Sequence, residues 1–449
     1  MKKITCVIWI SFALIWGGCE GFLDAKPEKS LVIPDSLDEF QALLDAEPRS
    51  MNSMTKMGFL SSDELVLANP LVNLLTLEER ASYLWEGDYY TPDDAGVDWA
   101  FSYRKIFYAN LVIEGVRDYK PMNETEKERA RQLDAAARFY RAFAHFSLAT
   151  QFMGPYDPSN PDMPGIPVRK AADLNATSPL LTAKEVFDFI REDLEVARTI
   201  LSPKPDIPTR ASAWAAEALL SRVCLYMQDY ESAFIHAGNA LKIANELLDY
   251  NTLNKSLRNI FPRFNLEVIH HAHMFSGRFT SNNQMYVNPD LYAMYDANDL
   301  RKTLLFSASP VAGRMNCFGR YTGEFLLYGG LATDEVVLDR AEAAARIGND
   351  AQALADLNYL LENRYRIGDF VPYTDLKGKN LIKKIAEERR KELVFRGIRW
   401  LDLRRYNQDP EMAVTLDRKY NGLENKLEPG SARYTFPIPP RELRLNEML

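Results

Sequence analysis

The stretch Ala386–Arg405, read AEERRKELVFRGIRWLDLRR, restricts the fold more than any other part of the chain. It carries six arginines together with Glu388, Glu392 and Asp402, while Phe395, Trp400, Leu401 and Leu403 supply an apolar side. Helical spacing runs through it, with Gly397 as the only interior breaker. Glu388 and Glu392 stand four apart, Glu392 and Arg396 four apart, and Arg399 and Asp402 three apart, so opposite charges can meet along one helical face and bond neighbouring segments. No His, Cys or Ser lies inside the run, so it offers no nucleophile, base or metal-ligand set. It reads as a buried or half-buried Arg/Glu network that pins helices together.

A chain of 449 residues with 47% hydrophobic content can bury a large core and allows between one large and three modest domains. A net charge of −8 with no basic tail argues against a nucleic-acid partner. The N-terminus is more specific. Lys2 and Lys3 precede an apolar run from Ile4 to Trp16, followed by Gly17, Gly18 and Cys19. This export signal is shorter than the roughly 20 residues needed to span a bilayer. Cys19 after two glycines resembles the lipobox of bacterial lipoproteins, although Trp16 stands where that motif usually carries Leu. Residues 1–18 are then a signal peptide and Cys19, acylated, is the first mature residue; the alternative is an ordinary secretory signal with Cys19 free. Cys6 leaves with the signal, so Cys224 and Cys317 permit at most one disulfide in the body.

Residues 19–35, with Pro27 and Pro34, form a lipidated tether, and residues 36–449 a single domain. Ser36 caps a first helix over 37–44, and residues 48–98 are irregular, rich in turn formers and aromatics between Trp85 and Gly96. Helices follow over 99–116 and 126–152, the second ended by Gly154-Pro155, and over 182–201, where Thr182 and Glu185 make a capping box. Residues 209–227 and 230–248 make a helical hairpin whose Ala233, Ala237 and Ala240 have the spacing of a tetratricopeptide repeat. Ala341, Ala344, Ala345 and Ala353 repeat it across 336–364, with Gly348 at the turn. Between the copies, residues 251–330 are the least helical, with a strand-like alternation over 266–275, an Asn-rich loop over 276–288 and a short helix over 289–296. The fold class is therefore mostly α, with little β structure and two loop-rich inserts.

These residues carry a family resemblance. Cys19-Glu-Gly-Phe-Leu-Asp, Trp99 with Tyr103-Arg104 and Ala109-Asn110, Ala137-Arg138-Phe139 with Arg141-Ala142, Asp299-Leu300-Arg301, Arg340-Ala341-Glu342-Ala343, the Arg-rich stretch and Phe436-Pro437-Ile438-Pro439 together resemble the SusD/RagB family. Arg396 departs from it, standing where the family usually has an acidic residue, and the chain is short for the family, which points to a reduced or altered ligand site. The resemblance implies about four tetratricopeptide-like helix pairs in a right-handed superhelical scaffold with an irregular ligand-binding side. It also implies a surface-exposed outer-membrane lipoprotein that delivers oligosaccharides, or peptides, to a SusC-like TonB-dependent transporter. Such proteins bind and do not cleave. The second reading is a tetratricopeptide scaffold lipoprotein that recruits protein partners.

Motifs for hydrolase, phosphate or dinucleotide chemistry are absent from the sequence. His271 and His273 would share a strand face, but two ligands without a third make no metal site, and no cofactor is expected. Asp88, Asp93, Asp94 and Asp98 lack the spacing of a calcium loop. Sugars require flat aromatic faces together with amides, carboxylates or guanidinium groups. Trp85, Asp88, Tyr89 and Tyr90 meet that description best, Asn282, Asn283 and Tyr286 come second, and Arg320 and Tyr321 third. Against this stands the plain reading of each aromatic as a loop anchor buried on the helices.

Overall fold

The computed structural model describes residues 34–46, 51–173, 176–280 and 282–446. The signal segment 1–18, Cys19 and the tether up to residue 33 lie outside the described residues. Among those described, no helix is long and apolar enough to cross a membrane.

Helix starts follow the capping chemistry written in the sequence. Ser36 opens α1 (Leu37–Leu44) by accepting the Glu39 N–H while Glu39 accepts the Ser36 N–H in return. The long pair α2 (Val97–Asp118) and α3 (Glu124–Phe152) is followed by α4 (Ala183–Ile200), where Thr182 and Glu185 close the same reciprocal box. Ser212 and Asp229 cap α5 (Ala213–Tyr226) and α6 (Tyr230–Ile243). After the insert come α7 (Thr333–Arg346), α8 (Asp350–Glu362), α9 (Gly378–Glu392) and α10 (Arg399–Tyr406). From α2 to α8 each helix packs on the next, and α9 lies against α7 and α8. Ala233, Ala237, Ala240, Ala341, Ala344 and Ala353 are fully buried at these contacts. Small residues let helix axes approach closely, which is the physical content of the repeat spacing.

Both inserts are more ordered than the sequence suggests. Residues 51–84 hold the strands Ser53–Met54 and Leu65–Leu67 and the short helices Met57–Ser61, Asn69–Val72 and Leu77–Leu84. Ser53–Met54 pairs in parallel with His273–Met274, and Leu65–Leu67 pairs antiparallel with Met285–Val287. Each insert thus completes the other, and elements this short take their form from tertiary pairing rather than from local periodicity. Among the described residues every sheet has only two strands. Between the inserts lies a second apolar cluster built on Phe59, Phe261, Phe279, Tyr295, Phe306, Tyr321 and Phe395.

The Arg-rich stretch is two helices, not one. α9 stops at Glu392, and Phe395 (φ 63°) and Gly397 (φ 75°) take the left-handed conformation before α10 begins. The break lets the Phe395 N–H donate to Glu64 Oε1 at 2.9 Å and seats its ring 5.3 Å from Phe59. The ion pairs expected along one helical face also form elsewhere. Arg396 pairs with Asp334, Arg399 with Asp63 at 2.7 Å, Arg389 with Asp339 at 2.5 Å and Asp402 at 2.9 Å, and Arg405 with Glu342. Glu392 accepts from Arg301 at 3.0 Å and from Arg364 at 2.8 Å, and Glu388 from Arg301 at 2.7 Å, all fully buried. α6 ends at Ile243, short of the expected Leu248, because Leu248 serves this network: its N–H donates to Glu267 and its carbonyl accepts from Arg364.

Removing one partner of a buried pair leaves the other charge uncompensated. Glu392→Ala is therefore expected to lower unfolding stability by about 3–5 kcal/mol in urea titrations, and a loss below about 1 kcal/mol would show that the network is not what holds the helices. Glu64 adds a pH signature. Burial pushes its carboxyl up from 4.5 to about 8, against the Phe395 N–H, while neighbouring Asp63, raised by burial but paired with Arg399 and Arg390, sits at about 2. Folded Glu64 keeps its proton where the unfolded chain has lost it, so stability falls as pH rises from about 4.5 to about 8. Glu64→Gln should flatten that fall when unfolding is followed across the same range.

Candidate ligand-binding face

Trp85 ends the helix Leu77–Leu84 in a left-handed conformation, which turns its indole inward. It is 1% exposed, donates its indole N–H to the Ser61 carbonyl at 3.0 Å and lies 4.5 Å beneath the Arg418 guanidinium. Tyr89 is buried between Tyr90 and Phe436, with ring centroids 6.0 and 5.7 Å away. Tyr286 is buried in its strand opposite Val66, with Arg314 5.6 Å from its ring. Tyr321 is also buried, donating its hydroxyl to Glu267 at 2.6 Å under the Arg396 guanidinium. The expectation of sugar-facing rings is corrected for these four: a ring enclosed on its faces has none to offer a ligand, and each works as a loop anchor.

The remaining candidates keep some contact with solvent. Asp88 and Asn283 are exposed, and Tyr90, Asn282 and Arg320 are half-buried. Asn283 accepts at its carbonyl from Asn316, and Arg320 donates to the Thr280 carbonyl, both at 3.0 Å. The candidates divide into two groups. Trp85 to Tyr90 pack toward the C-terminal segment around Phe436, with Tyr90 and Pro439 both against Gly96. Asn283, Tyr286 and Arg320 lie on the second insert, in contact with Asn316, Arg314 and Thr280 respectively.

A different aromatic group carries the chemistry that ligand binding needs. Phe101, on α2, meets Phe275 edge-on at 4.5 Å, and the exposed Arg104 lies 4.0 Å over the Phe101 ring. Both rings are half-buried, so each keeps an accessible edge or face. Their base is rigid. The Phe275 N–H donates to the Met54 carbonyl at 2.8 Å, and Lys105, one residue from Arg104, donates to the Ser53 carbonyl. Burial draws Lys105 down to about 7. Phe325, 57% exposed, sits in the turn just before Leu327, whose carbonyl accepts from Met274 at 2.9 Å. A half-open aromatic pair under a guanidinium suits the C–H faces and hydroxyls of a sugar. The signal was present in the sequence: Phe101 and Arg104 lie three apart on α2, off the inward face marked by Ile106, Ala109 and Asn110.

With this geometry in hand, two family models match the sequence. Residues 21–225 match a SusD-like family described as "Starch-binding associating with outer membrane", and residues 333–449 match the SusD family. The chain belongs to the SusD/RagB-like family. No curated protein sequence matches it. Among solved structures, a SusD superfamily protein from Bacteroides thetaiotaomicron VPI-5482 is similar with a TM-score of 0.74 at 19% identity, covering 92% of this chain and 98% of that one. A SusD-like carbohydrate binding protein from Bacteroides vulgatus ATCC 8482 gives 0.70 at 20% identity, covering 93% and 98%. Surface glycan-binding protein A from Bacteroides fluxus gives 0.68 at 18% identity, covering 92% and 97%. At these identities the likeness establishes the fold of this SusD/RagB-like chain, and its tetratricopeptide-like helix pairs are the family's scaffold.

The placement of Trp85 separates anchors from contacts. Trp85→Ala should cost about 3–5 kcal/mol of stability in denaturant unfolding. Asp88→Ala, at an exposed position, should change stability by less than about 0.5 kcal/mol.

Proposed function

We infer that this SusD/RagB-like protein is a cell-surface nutrient-binding lipoprotein. Anchored in the outer membrane through an acylated Cys19, it captures oligosaccharides and passes them to a SusC-like TonB-dependent transporter. The observation that carries the reading is the half-open pair Phe101 and Phe275 beneath Arg104, the first on α2 and the second directly after the strand His273–Met274, its N–H held by the Met54 carbonyl. Contacts on rigid elements are already ordered before the ligand arrives, so little conformational entropy is lost on capture. The matched family's description as starch-binding, and the names of the similar structures as carbohydrate- or glycan-binding, support the ligand class. Asp88 and Asn283 are the exposed polar loop groups that could add further contacts. Peptides, which also present apolar faces between hydrogen-bonding groups, are the other ligand class that fits this surface. The protein acts by binding and handing on, without turnover.

Calorimetry of the purified protein against a panel of α- and β-glucan oligosaccharides and short peptides tests this. Phe275→Ala and Phe101→Ala should each weaken binding roughly tenfold, consistent with about 1–1.5 kcal/mol for an aromatic contact, while leaving the thermal midpoint close to that of the wild type. Binding that survives the double variant, or no binding anywhere in the panel, would remove the reading.

A further inference from the structure

The chain has five histidines, and the structure treats them unequally. His145 Nδ1 contacts the Arg141 carbonyl at 2.9 Å, His236 Nδ1 contacts Glu217 at 2.7 Å, and His270 Nδ1 lies 3.4 Å from the Arg210 carbonyl. His271 and His273 differ. They are 0% and 4% exposed, and among the described residues none of their four ring nitrogens has a hydrogen-bond partner. Buried polar atoms are almost always satisfied, so four unsatisfied nitrogens in one place require an explanation.

The backbone around them is fixed. The Asn52 side chain donates to the His271 carbonyl at 2.8 Å, and the His273 N–H donates to the Asn52 carbonyl at 2.9 Å. The rings stand 5.8 Å apart at 77° to each other. The third member comes from a separate turn: Glu324 brings a carboxylate oxygen to the two imidazoles, and all three candidate ligand atoms lie within 4.8 Å of one another. Gly323, at φ 68°, lets that turn lie directly on the backbone of Phe261 and Arg263, where a Cβ would stand 2.4 Å from the Arg263 nitrogen. Arg263 Nε also holds Glu324 Oε1 at 3.0 Å, the kind of outer contact that orients a metal-binding carboxylate.

We propose that His271, His273 and Glu324 form a binding site for a divalent transition-metal cation of the zinc class. Two imidazole nitrogens and one carboxylate suit zinc, whereas calcium and magnesium take sets made almost wholly of oxygen. Bonds of about 2.0–2.2 Å to a tetrahedral ion place its ligand atoms roughly 3.5 Å apart, so side-chain rotations of about 1 Å close the set. Three protein ligands leave a fourth position for water. The bound ion cross-links the strand His273–Met274 to the turn that carries Phe325, and because it binds only the folded arrangement it raises stability. The site stands on its own geometry and does not depend on the proposed sugar ligand.

The test uses untagged, chelator-stripped protein, since a polyhistidine tag would itself bind zinc. Titration with zinc chloride should give about one ion per chain and a higher thermal midpoint, and calcium chloride should give neither. Glu324→Gln changes only a half-exposed side chain, so in chelator it should unfold like the wild type while its zinc affinity falls by about tenfold or more. Cobalt(II) in place of zinc should show the visible absorption of a low-coordinate site, lost in His271→Ala/His273→Ala. No zinc uptake by the wild type, or equal affinity in Glu324→Gln, would overturn the proposal.

Discussion

The carboxylate of Glu392 ties together three parts of the chain that share no local sequence. Arg301 reaches it from the insert, Arg364 from just beyond the end of α8, and Glu392 itself closes α9. Arg364 continues to Glu267, and Glu267 accepts the Tyr321 hydroxyl and the Leu248 N–H. Helical scaffold and loop side are therefore joined by one run of charge-assisted bonds. Each charge loses its hydration on burial, and that cost is offset only because nearly every guanidinium N–H and carboxylate oxygen finds a partner. An apolar interface could supply comparable cohesion but not the same geometric selectivity. Forked guanidinium contacts admit a single seating of insert on helices, which an irregular segment needs more than a regular helix does.

The same demand explains where the aromatic residues went. Phe59, Phe279, Phe395, Tyr295, Phe306 and Tyr328 pack the space between the two inserts, where no long helix offers a continuous apolar stripe. Trp85 and Tyr89 extend the main core instead, through Arg418 and Phe436. Short elements bury little area each, so large rings do the packing that leucines do among the helices. An aromatic-rich loop in this chain is thus a folded loop. Phe101 and Phe275, two of the rings left partly open, lie where the helical scaffold meets the inserts.

Much of the scaffold was legible because its signals are local. Ser36 with Glu39 and Thr182 with Glu185 announce helix starts within four residues, and the alanine spacing at Ala233–Ala240 and Ala341–Ala345 announces close helix contacts. Thr76 with Glu79 announces another, Leu77–Leu84, within a stretch whose turn formers and aromatics otherwise read as irregular. What could not be read is non-local. The spacing of Glu392 and Arg396 permits a pair within one helix, yet Arg396 turns to Asp334 and Glu392 to Arg301 and Arg364, because Phe395 and Gly397 break the helix between them. Burial of Trp85 and Tyr286 was equally hidden, since residue type states that a ring can bind a sugar and not which way it faces. His271 and His273 were visible as a pair, but Glu324 joins them only through the fold.

Arg396 shows how far the network, rather than the ligand face, accommodates departures from the family pattern. The resemblance leads one to expect an acidic residue at this position, and an acid here would face Asp334 across a buried gap. Instead the guanidinium bonds both oxygens of Asp334 and stacks 3.7 Å over the Tyr321 ring, whose hydroxyl is already held by Glu267. Arg396 therefore bridges α7 and the insert directly, joining Asp334 to the ring that leads to Glu267, Arg364 and Glu392. A charge reversed at such a site is tolerable only with its surroundings matched to it, and here a carboxylate on one side and an aromatic face on the other both favour a cation. Arg396 thus bears on how the loop side is fastened, through Asp334 and the Tyr321 ring, rather than on the open rings at Phe101 and Phe275.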